Sequence, residues 1–235
     1  MRALFLAAMS HDLKAPLNSI LGFASLVSRS PLTAEQLQSL AIIEQRGREL
    51  LHLIETILDA ARAEAGQLEI TLEESMIGDV IMSAVLDARD RIFGDDVAIE
   101  AEIQPGMPVA MVDTHRLVQA LLGVIGTAMR FTEKGTVTVR ATHGPSILID
   151  VETAGRGLHP GEREKIFEAF KYPDRARRLG SLGLELSLAR SIVELHRGAI
   201  DVDVPLEGGI VFHVRLPTSD GPISAPRPSV RPRPV

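Results

Sequence analysis

The chain has 235 residues, 45% of them hydrophobic and 24% charged, the balance of an ordinary folded protein with one large domain or two small ones. A formal net charge of −6 argues against a nucleic-acid-binding face, and the absence of cysteine removes disulfides, thiolate metal sites and cysteine nucleophiles while fitting a cytoplasmic setting. Aromatic residues, at 3%, are too few for base-stacking platforms, and no stretch approaches the roughly 20 apolar residues of a membrane span.

The apolar start, Met1 to Met9, runs into Ser10, His11 and Asp12 without a small-residue cleavage site, so it reads as the first turns of a helix and not as a signal peptide. Leu17, Ile20, Leu21, Ala24 and Val27 then recur at helical spacing until Ser30-Pro31-Leu32 interrupts the pattern. Thr33 caps a second helix, with Gln36 completing a capping box. Leu37, Leu40, Ile43, Gly47, Leu50, Leu51, Ile54, Leu58 and Ala61 form its stripe, and Gly66 ends it. Two such helices make an antiparallel hairpin whose stripes are wider than the hairpin can cover. That predicts a homodimer closing a four-helix bundle, the alternative being a hairpin packed on its own C-terminal domain.

Beyond Gly66 the texture is α+β. Strands are predicted at 68–72, 97–103, 109–112, 137–141 and 147–151, with helices at 77–93, 114–131, 161–170 and 184–196. A closing hairpin spans 200–204 and 210–216 around Glu207-Gly208-Gly209, and the Pro- and Arg-rich residues 218–235 have almost nothing to bury and are expected to be disordered. The expected architecture is two domains, an all-α hairpin over 1–66 and an α/β sandwich over 67–217, followed by the tail.

His11 lies about 200° around the helix from Leu13, which is expected to be buried, so it faces water with Lys14, Ala15 and Asn18 on its side. Adjacent Asp12 can hold one imidazole nitrogen and make the other a better nucleophile, although an exposed His–Asp pair can also be plain solvated surface. Pro16 removes a helix hydrogen bond and is expected to bend the helix just beyond. The whole string from Phe5 to Asn18, F-L-A-A-M-S-H-D-L-K-A-P-L-N, resembles the H-box of the sensor histidine kinase family, whose common form reads F-L-A-x-M-S-H-E-L-R-T-P-L-N. By that resemblance His11 is the phosphoacceptor and Asp12 its acid partner. Many members carry Thr or Asn at the place of Ala15 to position a hydrolytic water. Alanine has no polar atom for that task, which puts a phosphatase role in doubt.

Residues 68–216 resemble the ATP-binding domain of the same kinases, within the wider gyrase-like ATPase group, in order and spacing but not in ligands. The family's N-box carries two Asn, the second a Mg²⁺ ligand. Here Gly123 and Thr127 stand in those places, while Arg130 keeps the basic position. Residues 149–158 match the D-x-G-x-G box at Gly155 and Gly157, with Thr153 where the adenine-reading Asp belongs. Glu152, pointing to the other face of its strand, cannot replace that Asp. Ile166 to Phe170 match the F-box, and the stretch from Gly180 through Gly183 to Leu186 matches the phosphate-gripping box, G-x-G-x-G-L, with Glu185 in place of its last glycine and Leu182 replacing a small hydroxyl residue. A carboxylate at 185 repels a triphosphate. Lys171, Arg175, Arg177 and Arg178 in a shortened lid form either a solvated basic loop or an acidic-partner contact.

Three readings follow. A pseudokinase or histidine phosphotransfer protein receives phosphate on His11 from a response-regulator receiver domain or a separate kinase and does not use ATP. An autokinase uses ATP and Mg²⁺ in an unusual, degenerate pocket. A non-catalytic dimeric scaffold needs neither. No resident cofactor or metal is expected unless the degenerate pocket still binds nucleotide. The chain starts a turn or two before the H-box, so it is either a fragment or takes its input from a separate sensor.

Overall fold

The computed structural model describes residues 2–90, 96–155, 157–158, 160–163, 165–169, 183–205 and 208–218, with the side chains of residues 2–12 and 160 left aside. The chain divides into two compact units, Met1–Glu69 and Ile70–Val235.

The first unit is the hairpin α1 (Arg2–Val27) and α2 (Ala34–Glu64). α1 continues through Pro16 as one helix. The capping box forms as read: Gln36 N donates to Thr33 Oγ1 (3.3 Å) and Thr33 N to Gln36 Oε1 (2.9 Å). Past Ala65 the chain turns at Gly66, whose φ of +67° suits glycine. Gly47 lets the helices approach closely, since a Cβ there would lie 2.6 Å from Leu21 Cδ2, and Lys14 Nζ donates to Glu55 Oε1 at 2.8 Å across the pair. Leu17 and Ala24 take the covered flank of α1, whereas Phe23 is 70% exposed in the single chain. Leu13 corrects an expectation: predicted buried, it is 43% exposed. Two helices cover only one flank of each stripe, and Leu13 falls outside it.

The second unit runs β1 (Glu73–Met76), α3 (Ile77–Asp90), β2 (Val97–Ile103), β3 (Val109–Val112), α4 (Thr114–Phe131), β4 (Gly135–His143), β5 (Ser146–Thr153), α5 (Pro160–Arg163), α6 (Glu185–Leu195), β6 (Ala199–Asp203) and β7 (Val211–Pro217). β1 and β3 pair antiparallel as a ribbon. The main sheet has the order β2-β4-β5-β7-β6, with β2 and β4 parallel and the other pairs antiparallel. One face alternates Ile147, Ile149, Val151 and Phe212, Val214, Leu216 into the core, where Ile81, Leu117, Leu121, Ile125 and Ile192 of α3, α4 and α6 are also buried. The opposite face carries charge, because the register sets Glu102, Arg140, Asp150, His213 and Asp201 side by side across all five strands.

Two predicted elements differ. Residues 68–72 are not a strand; pairing with β3 begins at Glu73. Thr71 N donates instead to the Asp113 carboxylate (2.9 Å), a side-chain tie outside the ladder. The helix expected over 161–170 shrinks to the single turn of α5, because Lys165 N and Glu168 N bond three residues back, to Glu162 O and Lys165 O, in tight turns.

Candidate functional site

His11 and Asp12 lie on α1, and their side chains fall outside the described residues. One turn on, Ala15 and Asn18 are exposed.

In the second unit the site is built where α4 meets α6. Asp113 caps α4, its Oδ1 accepting from Arg116 N (3.0 Å) and its Oδ2 from Thr71 N. Burial pushes this carboxyl up, but those two backbone donors, together with nearby positive charge, outweigh it and hold it below the usual aspartate value. Asp113 N donates to buried His196 Nε2 at 2.9 Å, so the ring proton sits on Nδ1, which donates to Ile192 O at 2.8 Å. The start of α4 is thereby tied to the end of α6.

On the face of α4 toward α6, Gly123 leaves room for the first turn of α6. A Cβ at 123 would stand 3.0 Å from Glu185 O and 3.5 Å from Glu185 Cβ. Thr127 is fully buried, and its hydroxyl donates to Gly123 O at 2.7 Å while accepting from Arg130 Nη2 at 3.1 Å. The same nitrogen lies 3.4 Å from Glu185 Oε1. Reading the sequence placed Arg130 and Glu185 separately and missed their pairing. The signal lay in the reciprocal change of size, a glycine on one helix opposite a glutamate on the other.

Thr153 ends β5 on its buried face. Its N–H donates to Ile210 O (2.9 Å) and its Oγ1 accepts from Ile210 N (2.8 Å). Glu152 lies on the outer face as expected, accepting from Arg140 Nη1 at 2.7 Å. A Cβ on Gly155, at φ +141°, would lie 3.1 Å from Phe131 O, and one on Gly157 2.5 Å from Val204 Cγ1, so both positions need glycine. Gly183 has φ +71°. Gly180, Leu182, Lys171, Arg175, Arg177 and Arg178 fall outside the described residues. Ile166 and Phe167 of the F-box are buried, with the Arg190 guanidinium 4.5 Å over the Phe167 ring. Among the described residues, no group of three or more His, Asp or Glu is placed to hold a metal ion, and no helix is long and apolar enough to cross a membrane.

A second charged constellation went unread in the sequence. On the outer face of the sheet His213 Nδ1 meets Asp150 Oδ1 at 2.6 Å, and its Nε2 lies 3.5 Å from Asp203 Oδ2. Asp203 in turn pairs with Arg163 of α5, and Asp201 with Arg215. The hydrogen bond to Asp150 pushes the imidazole up; burial opposes it, and both aspartates add to the rise.

Comparison with known proteins places these elements. The profile of the family described as "His Kinase A (phospho-acceptor) domain" matches residues 1–66, and that described as "Histidine kinase-, DNA gyrase B-, and HSP90-like ATPase" matches 112–220. The chain is 32% identical over 227 residues to the sensory/regulatory protein RpfC of Xanthomonas campestris pv. campestris, covering 92% of this chain and 31% of that protein. It is 31% identical over 237 residues to the circadian input-output histidine kinase CikA of Synechococcus elongatus, covering 96% of this chain and 31% of that protein. It thus spans about a third of the length of these curated relatives. Full-length ShkA in complex with AMPPNP shares its fold at a TM-score of 0.73 and 29% identity, over 94% of this chain and 46% of that one. Histidine kinase AdeS of Acinetobacter baumannii shares the fold at a TM-score of 0.60 and 18% identity, over 89% of this chain and 98% of that one.

Proposed function

The chain belongs to the sensor histidine kinase family, and from that premise we propose that it is a pseudokinase or histidine phosphotransfer protein, phosphorylated on His11 by another protein and not using ATP itself. The observation that carries this reading is that the polar groups at all three ligand positions are already committed within the chain: Thr127 to Gly123 and Arg130, Thr153 to Ile210, and Glu185 to Arg130.

ATP and Mg²⁺ do not fit that set. A magnesium ion needs hard oxygens in near-octahedral array, and the fully buried Thr127 hydroxyl spends its proton on Gly123 O. An adenine amino group needs an acceptor. Replacing a carboxylate by the neutral Thr153 oxygen, which already accepts from Ile210 N, loses roughly 1.5–3 kcal/mol. A triphosphate needs cations and N–H donors, and the Glu185 carboxylate faces Arg130 where such an anion would pair.

Transfer to His11 needs none of this. One imidazole nitrogen attacks the phosphorus of a receiver's aspartyl phosphate; the N–P bond forms, the acyl O–P bond breaks, and the receiver carboxylate leaves. Asp12 holds the proton on the other ring nitrogen, and the receiver brings its own Mg²⁺. The reverse step passes the group to a second receiver. We assign residues 1–66 to dimerisation and phosphate acceptance, 67–217 to a degenerate ATPase-like docking domain, and 218–235 to a tail, in a cytoplasmic homodimer. The exposed apolar side chains Ile20, Ile43 and Leu50 on the hairpin support the homodimer.

A working autokinase is the second reading, favoured by the likeness to ShkA, which is in complex with AMPPNP. Calorimetric titration of the purified chain with an ATP analogue and Mg²⁺ separates the two. The expected result is no binding at millimolar nucleotide, with His11, but not the His11→Ala variant, labelled by a phosphorylated receiver. Micromolar binding, or failure of every receiver to label His11, overturns the proposal.

A further inference from the structure

Bulk has been exchanged across the contact between α4 and α6. Gly123 contributes no side chain, and Glu185 fills the space facing it, its Cβ 3.5 Å from where a Cβ at 123 would stand. From there its carboxylate reaches Arg130, 3.4 Å away. Arg130 is also held by Thr127, and Thr127 by Gly123 O, so the four residues close a loop on themselves. The pair is well shielded, with side chains 23% and 15% exposed, so salt screens it weakly. Arg130 Nε is buried and has no hydrogen-bond partner among the described residues, which leaves the guanidinium with an unmet donor beside the Glu185 carboxylate. Removing the carboxylate alone would leave a partly buried cation without that counter-charge, an unfavourable state that an incoming anion relieves.

We infer that Glu185 is an internal counter-anion that occupies Arg130 and closes this corner to phosphate esters and polyphosphates, so that one residue holds shut the phosphate end of the pocket. The inference rests on the reading of the chain as one that does not use ATP, and it adds that the phosphate end is blocked by an ion pair, separately from the altered base and metal positions. Its chemistry predicts a gain of binding on removing a charge, which a merely eroded pocket does not.

Inorganic tripolyphosphate carries the anionic charge without a base and is used without metal. It is titrated calorimetrically into the full chain at low ionic strength. Glu185→Gln, which keeps the volume and removes the charge, and Glu185→Gly, which also opens the space, are each expected to bind it at least tenfold more tightly than the unmodified chain. Adding Arg130→Ala to Glu185→Gln is expected to abolish the gain. Circular-dichroism melts establish that each variant is folded, and Glu185→Gln serves if Glu185→Gly is not. If folded Glu185→Gln binds no better than the unmodified chain, or if its gain survives Arg130→Ala, the inference falls and the proposed lack of ATP use stands. Micromolar binding of the ATP analogue by the unmodified chain is the different result that overturns the function.

Discussion

His213 offers a pH-dependent measure of how the outer face of the sheet is held. Its ring is 24% exposed and sits between Asp150 of β5 and Asp203 of β6. Asp201, Arg215, Arg140 and Arg163 are further charged groups nearby among the described residues. The 2.6 Å contact to Asp150 is short enough for a charge-assisted hydrogen bond, worth about 1.5–3 kcal/mol. The 3.5 Å contact to the half-exposed Asp203 adds little. Because the imidazole is raised above its ordinary 6.5, the stabilisation is fully present below about pH 6.5 and is lost as pH rises through the folded-state value. His213→Gln removes the titrating charge. Urea unfolding of the two proteins from pH 5.5 to 9 (values on the order of the imidazole range) is expected to show the native chain more stable by about 1–2 kcal/mol at the acid end, the gap closing toward the alkaline end. A gap that stays constant, or widens with pH, refutes the assignment of a protonated His213 bridging the aspartates.

Asp113→Ala removes the cap of α4 and the tie to Thr71, and is expected to destabilise the second unit by about 1–2 kcal/mol in thermal or urea melts. The carboxyl of Asp113 is held low, so its contribution should be intact above its ordinary value and fade as pH falls through the lowered folded value. The variant's deficit is therefore expected to shrink in strong acid. Gly209→Ala forces a side chain into φ +79° and against Thr153 O, and is expected to cost about 2 kcal/mol or more, read as a lower midpoint with an unchanged urea slope.

Much of the fold was legible because helical and strand periods are local. The Thr33–Gln36 capping box, the bounds of α4 and the strand runs 97–103 and 109–112 each follow from neighbours a few residues apart, and they form as read. The H-box string and the order of the ATPase-like motifs carried the family by the same token, since a motif is a local string. Long-range partners were illegible. Nothing around Thr71 says that its N–H goes to Asp113 and so leaves the ladder, and nothing around Glu185 says that Arg130 is its neighbour. His213 is one more alternating residue in a strand until the register of β5, β7 and β6 sets it beside Asp150 and Asp201. The sequence by itself therefore determined most of the elements, their order and the family, because these depend on short-range pattern. Only the tertiary structure decided which polar groups neutralise one another, because a charge is matched by whatever helix packing and strand register bring within a few ångströms, however distant along the chain.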